Sequence, residues 1–121
     1  MTQSLEDYLE SIYMLISEGK PAQVRDVAKL LDVKMPSVVK AIHELKKLEL
    51  VRQEPYGPID LTDRGERLAK HVLARHTLIR AFLIQLGVSE KNADKDACLM
   101  EHILSAETLD KIRVYTENRK K

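Results

Sequence analysis

Residues 24–51, VRDVAKLLDVKMPSVVKAIHELKKLELV, decide the fold. Val24, Val27, Ala28 and Leu31 recur at spacings of three and four, which lines one side of a short helix with apolar groups. The break DVKMP interrupts it. A second helix is expected over 36–48, with Pro36 at its first turn and Val38, Val39, Ile42, Leu45 and Leu48 turned toward a core. Two short helices across a tight turn, the second opening with small and polar groups and Lys, read as a helix-turn-helix.

The next segment extends the motif. Residues 50–62, LVRQEPYGPIDLT, hold two short extended runs, LVRQ and PIDLT, around a turn of Pro55, Tyr56, Gly57 and Pro58. A hairpin directly after a helix-turn-helix makes a winged helix. Upstream, Leu5, Leu9, Ile12, Tyr13 and Ile16 give 4–18 the pattern of an amphipathic helix, with Ser4 as its N-cap and Gly19 as its stop. Downstream, a long helix is expected from Asp63, capped by Thr62, to about Leu86 before Gly87. Ser89 then caps a helix reaching about Leu104, and Ser105 caps a last one over 106–117, before the polar tail NRKK. The fold class is therefore mainly α: an N-terminal winged helix-turn-helix of three helices and a two-stranded wing (1–62), then an α-helical lobe (63–121).

Composition narrows the function classes. A chain of 121 residues that is 44% hydrophobic can build an ordinary globular core. Its apolar runs, such as AFLI at 81–84, fall far short of the ~20 residues that a bilayer crossing needs, so no membrane partner is expected. The start, MTQSLEDYLE, carries acids where a signal peptide carries positive charge, and the expected location is cytoplasmic. One Cys cannot form an internal disulfide, which agrees with a reducing compartment. The net charge of +1 is uninformative, but its distribution is not. From Lys20 to Arg52 eight Lys/Arg face four Asp/Glu, an excess of four positive charges that points to phosphate contact, although solvated helix faces are often charged too.

A second motif lies in 94–104, DKDACLMEHIL. Cys98, Glu101 and His102 stand at i, i+3 and i+4, so on a helix a thiol, a carboxylate and an imidazole share a face. Such a set suits a divalent transition metal. The same spacing also fits a Cys acting as a small hydrophobe beside a solvated Glu-His edge.

In order and separation, LEDYLESIYML (5–15), the helix-turn-helix of 24–51, IDLTDRGERLA (59–69), RHTLIRAFL (75–83) and CLMEHILS (98–105) are similar to the diphtheria-toxin-repressor family of metal-dependent repressors, which includes the manganese transport regulators. The resemblance implies a short form of that family, without the iron branch's C-terminal SH3-like domain. It implies a homodimer, through the helical lobe, that represses metal-uptake genes. It also implies metal ligands: Asp7 and Glu10 on the first helix, His76 on the long fourth helix, and Cys98, Glu101 and His102 on the fifth. The first of the fifth-helix ligands is Glu in the manganese branch and Cys in the iron branch, so this chain is a hybrid. In isolation Asp7 also fits a capping box with Ser4, Glu10 an exposed helix position, and His76 a hydrogen-bonded interfacial His. The iron branch uses an ancillary metal position with a Glu and a second His where this chain has Arg80 and Asp94. Arg cannot ligate a cation, and these two are expected to form an ion pair instead.

The ligands implied by the resemblance come from three helices far apart in sequence, so one ion would tie the DNA-binding lobe to the helical lobe and shift the population toward the repressing form. Oxygen ligands suit Mn²⁺ and a thiolate draws the site toward Fe²⁺, Co²⁺ or Zn²⁺. Fe²⁺ is favoured as corepressor, with Mn²⁺ second and Zn²⁺ or Co²⁺ binding in vitro. The DNA partner is a double-stranded, near-palindromic operator. Lys34, Pro36, Ser37, Val38 and Lys40 are the expected recognition-helix contacts, Val38 through a thymine methyl, with Arg52 and Tyr56 in the wing. An exposed residue that touches nothing is the competing reading for each. No small organic substrate is expected. Nor is an enzyme, because neither a glycine-rich phosphate loop nor a nucleophile elbow accompanies the Cys, His and Glu. The alternative is a winged-helix regulator or interaction module that ignores metal, whose operator affinity would not respond to a chelator.

Overall fold

Apolar spacing and turn chemistry translate into six helices and one hairpin among the described residues, 3–119, of the computed structural model. In chain order they are α1 (Gln3–Ser17), α2 (Val24–Leu31), α3 (Met35–Lys47), β1 (Val51–Gln53), β2 (Ile59–Leu61), α4 (Asp63–Gln85), α5 (Glu90–Met100) and α6 (Ala106–Arg119). The chain separates into two compact units, one ending at Lys70 and the other starting at His71, so the division falls within α4. Lys120 and Lys121, the end of the expected polar tail, lie outside the described residues.

The first unit is the winged helix. Leu9, Ile12, Val27, Val38, Leu45, Leu50 and Ile59 are its largest fully buried apolar side chains, drawn from α1, α2, α3, β2 and the residue before β1. Between α2 and α3 the chain reverses in three residues. Asp32 takes a left-handed conformation (φ 54°), its N–H and that of Val33 close back on Ala28 and Lys29, and Lys34 is the N-cap of α3. The end of α3 repeats the device with Glu49 at φ 60°, from which the Leu50 N–H reaches the Leu45 carbonyl. The strands pair antiparallel with Val51 opposite Leu61, Arg52 opposite Asp60 and Gln53 opposite Ile59. Ile59 N–H also donates to the Ala22 carbonyl at 2.7 Å, which fixes the wing to the loop before α2. Thr62 holds the wing's far end: its N–H donates to Leu50 O, its hydroxyl donates to Glu49 O, and its Oγ1 accepts from Gly65 N–H at 3.0 Å as the cap of α4.

Two expectations for this unit need correction. Ser4 lies inside α1 rather than capping it, which removes the capping box with Asp7. Val39 and Leu48 are 55% and 40% exposed, not core. The buried stripe of α3 is Val38, Ala41, Ile42 and Leu45, at i, i+3, i+4 and i+7, and Val39 stands about 100° around the helix from Val38.

The second unit packs α5 and α6 against the later part of α4. Ile79, Leu83, Ala93 and Ala97 form its centre, with Phe82, Val88, Met100, Leu104 and Leu109 around them. Phe82 meets Tyr115 edge to face at 5.7 Å, and the Arg119 guanidinium lies 5.4 Å from the Tyr115 ring centroid. The expected caps hold: Ser89 Oγ accepts from Asn92 N–H, and Ser105 Oγ accepts from Thr108 N–H. One boundary differs. α5 ends at Met100 rather than near Leu104, because the N–H groups of His102 and Ile103 close on Leu99 and Met100, three residues back, and tighten the last turn.

Candidate metal centre and DNA-binding face

That tightened turn sets the geometry of the second motif. Glu101 keeps a helical conformation and its carboxylate has no exposure to solvent, while the adjacent His102 side chain is 3% exposed. Oε1 of Glu101 lies 3.2 Å from His102 Nε2, and Oε2 lies 3.4 Å from Nδ1 of His76 on α4. Neither carboxylate oxygen accepts a hydrogen bond among the described residues. A buried carboxylate without hydrogen bonds is costly unless positive charge compensates it. Each carboxylate oxygen of Glu101 thus faces one imidazole nitrogen, and imidazole and carboxylate are donor types that suit a divalent first-row ion, which would supply that charge. The residues present therefore fit a metal of this class.

The other expected ligands are distributed differently. Cys98 is an exposed residue, so the face expected for Cys98, Glu101 and His102 together is not uniform: the carboxylate and imidazole side chains are buried and Cys98 is not. Asp7 and Glu10 stand three apart on α1 in the first unit, both partly buried. The expected ion pair between Arg80 and Asp94 is present, Nε to Oδ1 at 2.5 Å. Unforeseen from sequence, the same Asp94 oxygen lies 3.8 Å from His76 Nε2. Only the pairing of α4 with α5 brings those two together, and no spacing within one helix encodes it.

On the first unit, Lys34, the N-cap of α3, and Pro36, Ser37 and Lys40 on its opening turns are all exposed. Val38 is not: it is fully buried, so it cannot make the expected contact to a thymine methyl. Val39 is the exposed apolar residue there, and the i, i+3, i+4, i+7 phase of the stripe was the signal that could have identified it. In the wing, Arg52 is exposed and Tyr56 fully so, at a left-handed turn position (φ 61°) that holds an aromatic side chain away from the protein.

Sequence comparison adds the decisive observation. Residues 1–59 match the profile of the iron dependent repressor N-terminal DNA binding domain, and 62–121 match that of the iron dependent repressor metal binding and dimerisation domain. This chain belongs to the iron-dependent repressor family. It is 42% identical over 122 residues to an HTH-type transcriptional regulator of Methanocaldococcus jannaschii, covering 99% of this chain and 98% of that one. It is 40% identical over 111 residues to the HTH-type transcriptional regulator MntR of Bacillus subtilis, covering 92% of this chain and 78% of that one. The solved structure of the manganese regulator SloR superposes with a TM-score of 0.85 at 26% identity, over 97% of this chain and 55% of that one. The chain thus spans about half the length of that solved relative. The relatives are transcriptional regulators, and among the described residues no helix is long and apolar enough to cross a membrane.

Proposed function

We propose that this repressor uses a divalent transition metal, Fe²⁺ in the first place and Mn²⁺ in the second, as a corepressor that switches on binding of a homodimer to a near-palindromic operator. The observation that carries the metal half is the buried Glu101 carboxylate between His76 and His102, in the segment that matches the family's metal-binding domain. His76, Glu101 and His102 are the central donors, and Asp7, Glu10 and Cys98 are the further ligands that the family pattern implies. Bound there, the ion supplies the positive charge that the buried carboxylate lacks. The protein's own part is to hold two imidazoles and one carboxylate out of water, so that ligand exchange is governed by these side chains.

For the DNA half, exposed Lys34, Pro36, Ser37 and Lys40 on α3 are the groups for the major groove, with Val39 beside them as the apolar contact. Arg52 and Tyr56 are the wing's phosphate or minor-groove contacts. Exposed Leu86, Leu99 and Ile103 on the second unit support association of two chains through that unit. The preference for Fe²⁺ rests on Cys98, since an all-oxygen and imidazole set favours Mn²⁺ more.

Anaerobic operator titrations with Fe²⁺, with Mn²⁺, with Zn²⁺ and with chelator test this reading. Tight binding with Fe²⁺ or Mn²⁺ and its loss in chelator is the expected result. Operator affinity that ignores chelator would replace the proposal with a metal-independent winged-helix regulator.

A further inference from the structure

His76 has a carboxylate at each end of its ring. Nδ1 lies 3.4 Å from Oε2 of Glu101, and Nε2 lies 3.8 Å from Oδ1 of Asp94. The two acids differ in kind. Glu101 has no exposure, whereas the Asp94 side chain is 54% exposed and is held from behind by Arg80, whose Nε meets the same Oδ1 at 2.5 Å. Arg80 Nη2 also reaches Oε1 of Glu90 at 4.0 Å. His76 and Arg80 are four apart on α4, and Glu90 and Asp94 are four apart on α5, so two one-turn pairs face each other across the second unit.

A neutral imidazole carries one N–H, and a carboxylate beside one nitrogen draws the proton to that side. Glu101 alone draws it to Nδ1, the nitrogen that faces the candidate centre and is needed there as a lone-pair donor. A second carboxylate on Nε2 opposes that pull, and it prevails once a cation shares the charge of Glu101. At 3.8 Å the contact with Asp94 is electrostatic rather than a hydrogen bond, so it needs a carboxylate that stays in place. Arg80 provides this, being permanently cationic and unable to compete as a ligand.

We propose that Asp94, clamped by Arg80, is a positioning residue for His76: it holds the Nε2 side of the ring by its proton and presents Nδ1 toward Glu101. This rests on His76 being a metal ligand. The ion pair is then part of the centre's second layer of contacts, not a surface ornament.

The test uses Zn²⁺ as a diamagnetic probe, with competition titrations for affinity and ¹⁵N-imidazole spectra for the site of the proton. In Zn²⁺-loaded wild type the His76 proton is expected on Nε2. Asp94→Ala is expected to weaken Zn²⁺ binding by about 10- to 100-fold, the range for losing an outer partner of a ligating His. Arg80→Met is expected to weaken it less, and the double variant no more than Asp94→Ala alone. A His76 proton on Nδ1 in the loaded wild type overturns the proposal, and that measurement needs no variant to fold. So does Asp94→Ala binding Zn²⁺ as wild type does while His76→Ala is impaired. If His76→Ala itself binds normally, the ligand reading fails first and carries this proposal with it.

Discussion

Oε1 of Glu101 lies 3.2 Å from Nε2 of His102, its neighbour in sequence, and both side chains are all but closed to solvent. Consecutive residues on a regular helix point about 100° apart. Here the helix has ended at Met100, and the tightened turn after it lets both groups face inward. The second unit thereby carries a buried charge that its own hydrogen bonds do not satisfy, an imbalance open to direct measurement.

Glu101→Gln keeps the size of the side chain and removes its charge. Without metal, the variant is expected to melt at or above the wild-type temperature, because a neutral amide costs less to bury than an uncompensated carboxylate. With metal the order reverses. A ligand at 100 times its Kd adds about 2.7 kcal/mol to the wild type, and the variant is expected to gain almost none of it. Thermal unfolding in chelator and in excess Mn²⁺ gives the comparison. Equal metal-induced shifts for the two proteins would remove Glu101 from the ligand set.

Gly65, in the first turn of α4, has its backbone against the carbonyl of Leu50: a Cβ built there would stand 1.9 Å from that oxygen. Both partners are main chain, and Leu50 O already accepts from Thr62 N–H at 3.1 Å, so neither yields easily. Gly65→Ala is expected to destabilise the winged helix by about 1–3 kcal/mol or more, the cost of overpacking a close contact. Urea denaturation followed by circular dichroism measures it. A change below about 0.5 kcal/mol, typical of uncoupled surface sites, would mean that α4 can shift away from the wing without loss.

The winged helix was legible because its signals are local. The apolar stripe of α2, the Pro at the start of α3 and the Pro-Gly turn of the wing each act within a few residues, and Thr62, Ser89 and Ser105 cap the helices after them. The expected stripe of α3 holds Val38, Ile42 and Leu45 but is too broad, taking in Val39 and Leu48, because Val38 and Val39 are identical in type and only the whole stripe separates the buried from the exposed one. The site was legible in part through the family resemblance, which pointed to His76, Glu101 and His102. Its finer arrangement was not, since the end of α5 depends on backbone bonds closing three residues back, and the meeting of Asp94 with His76 depends on packing between helices.

The difference between the two valines is measurable. Val38→Ala empties part of a fully buried site and is expected to cost about 2 kcal/mol in folding stability, while Val39→Ala is expected to change stability by less than about 0.5 kcal/mol. In operator binding the order inverts: Val39→Ala weakens a contact on the face of α3, and Val38→Ala acts only through folding. A Val38→Ala protein that folds as stably as wild type would contradict its place in the core.

Ser37 is exposed, as are Lys34 three residues before it and Lys40 three residues after it. A carboxylate placed there faces the phosphates and base edges that the two lysines would approach, and repulsion across a desolvated contact is severe. Ser37→Glu is expected to abolish operator binding while Zn²⁺ or Mn²⁺ binding stays at the wild-type level. Gel-shift and metal-competition titrations on one preparation read both. Undiminished DNA affinity at low salt would move the recognition surface off the start of α3.

Cys98 poses the selectivity question most directly, because it is an exposed residue while the Glu101 and His102 side chains are buried. Exchanging an exposed residue is expected to leave the buried carboxylate and imidazoles in place. On the proposed ligand set, Cys98→Glu exchanges a sulfur donor for an oxygen donor, which favours Mn²⁺ over Fe²⁺. The variant is expected to shift operator activation toward Mn²⁺, read as the ratio of half-activating Fe²⁺ and Mn²⁺ concentrations in anaerobic titrations. An unchanged ratio would show that the thiol sets no preference, and would leave the choice of metal to the buried donors.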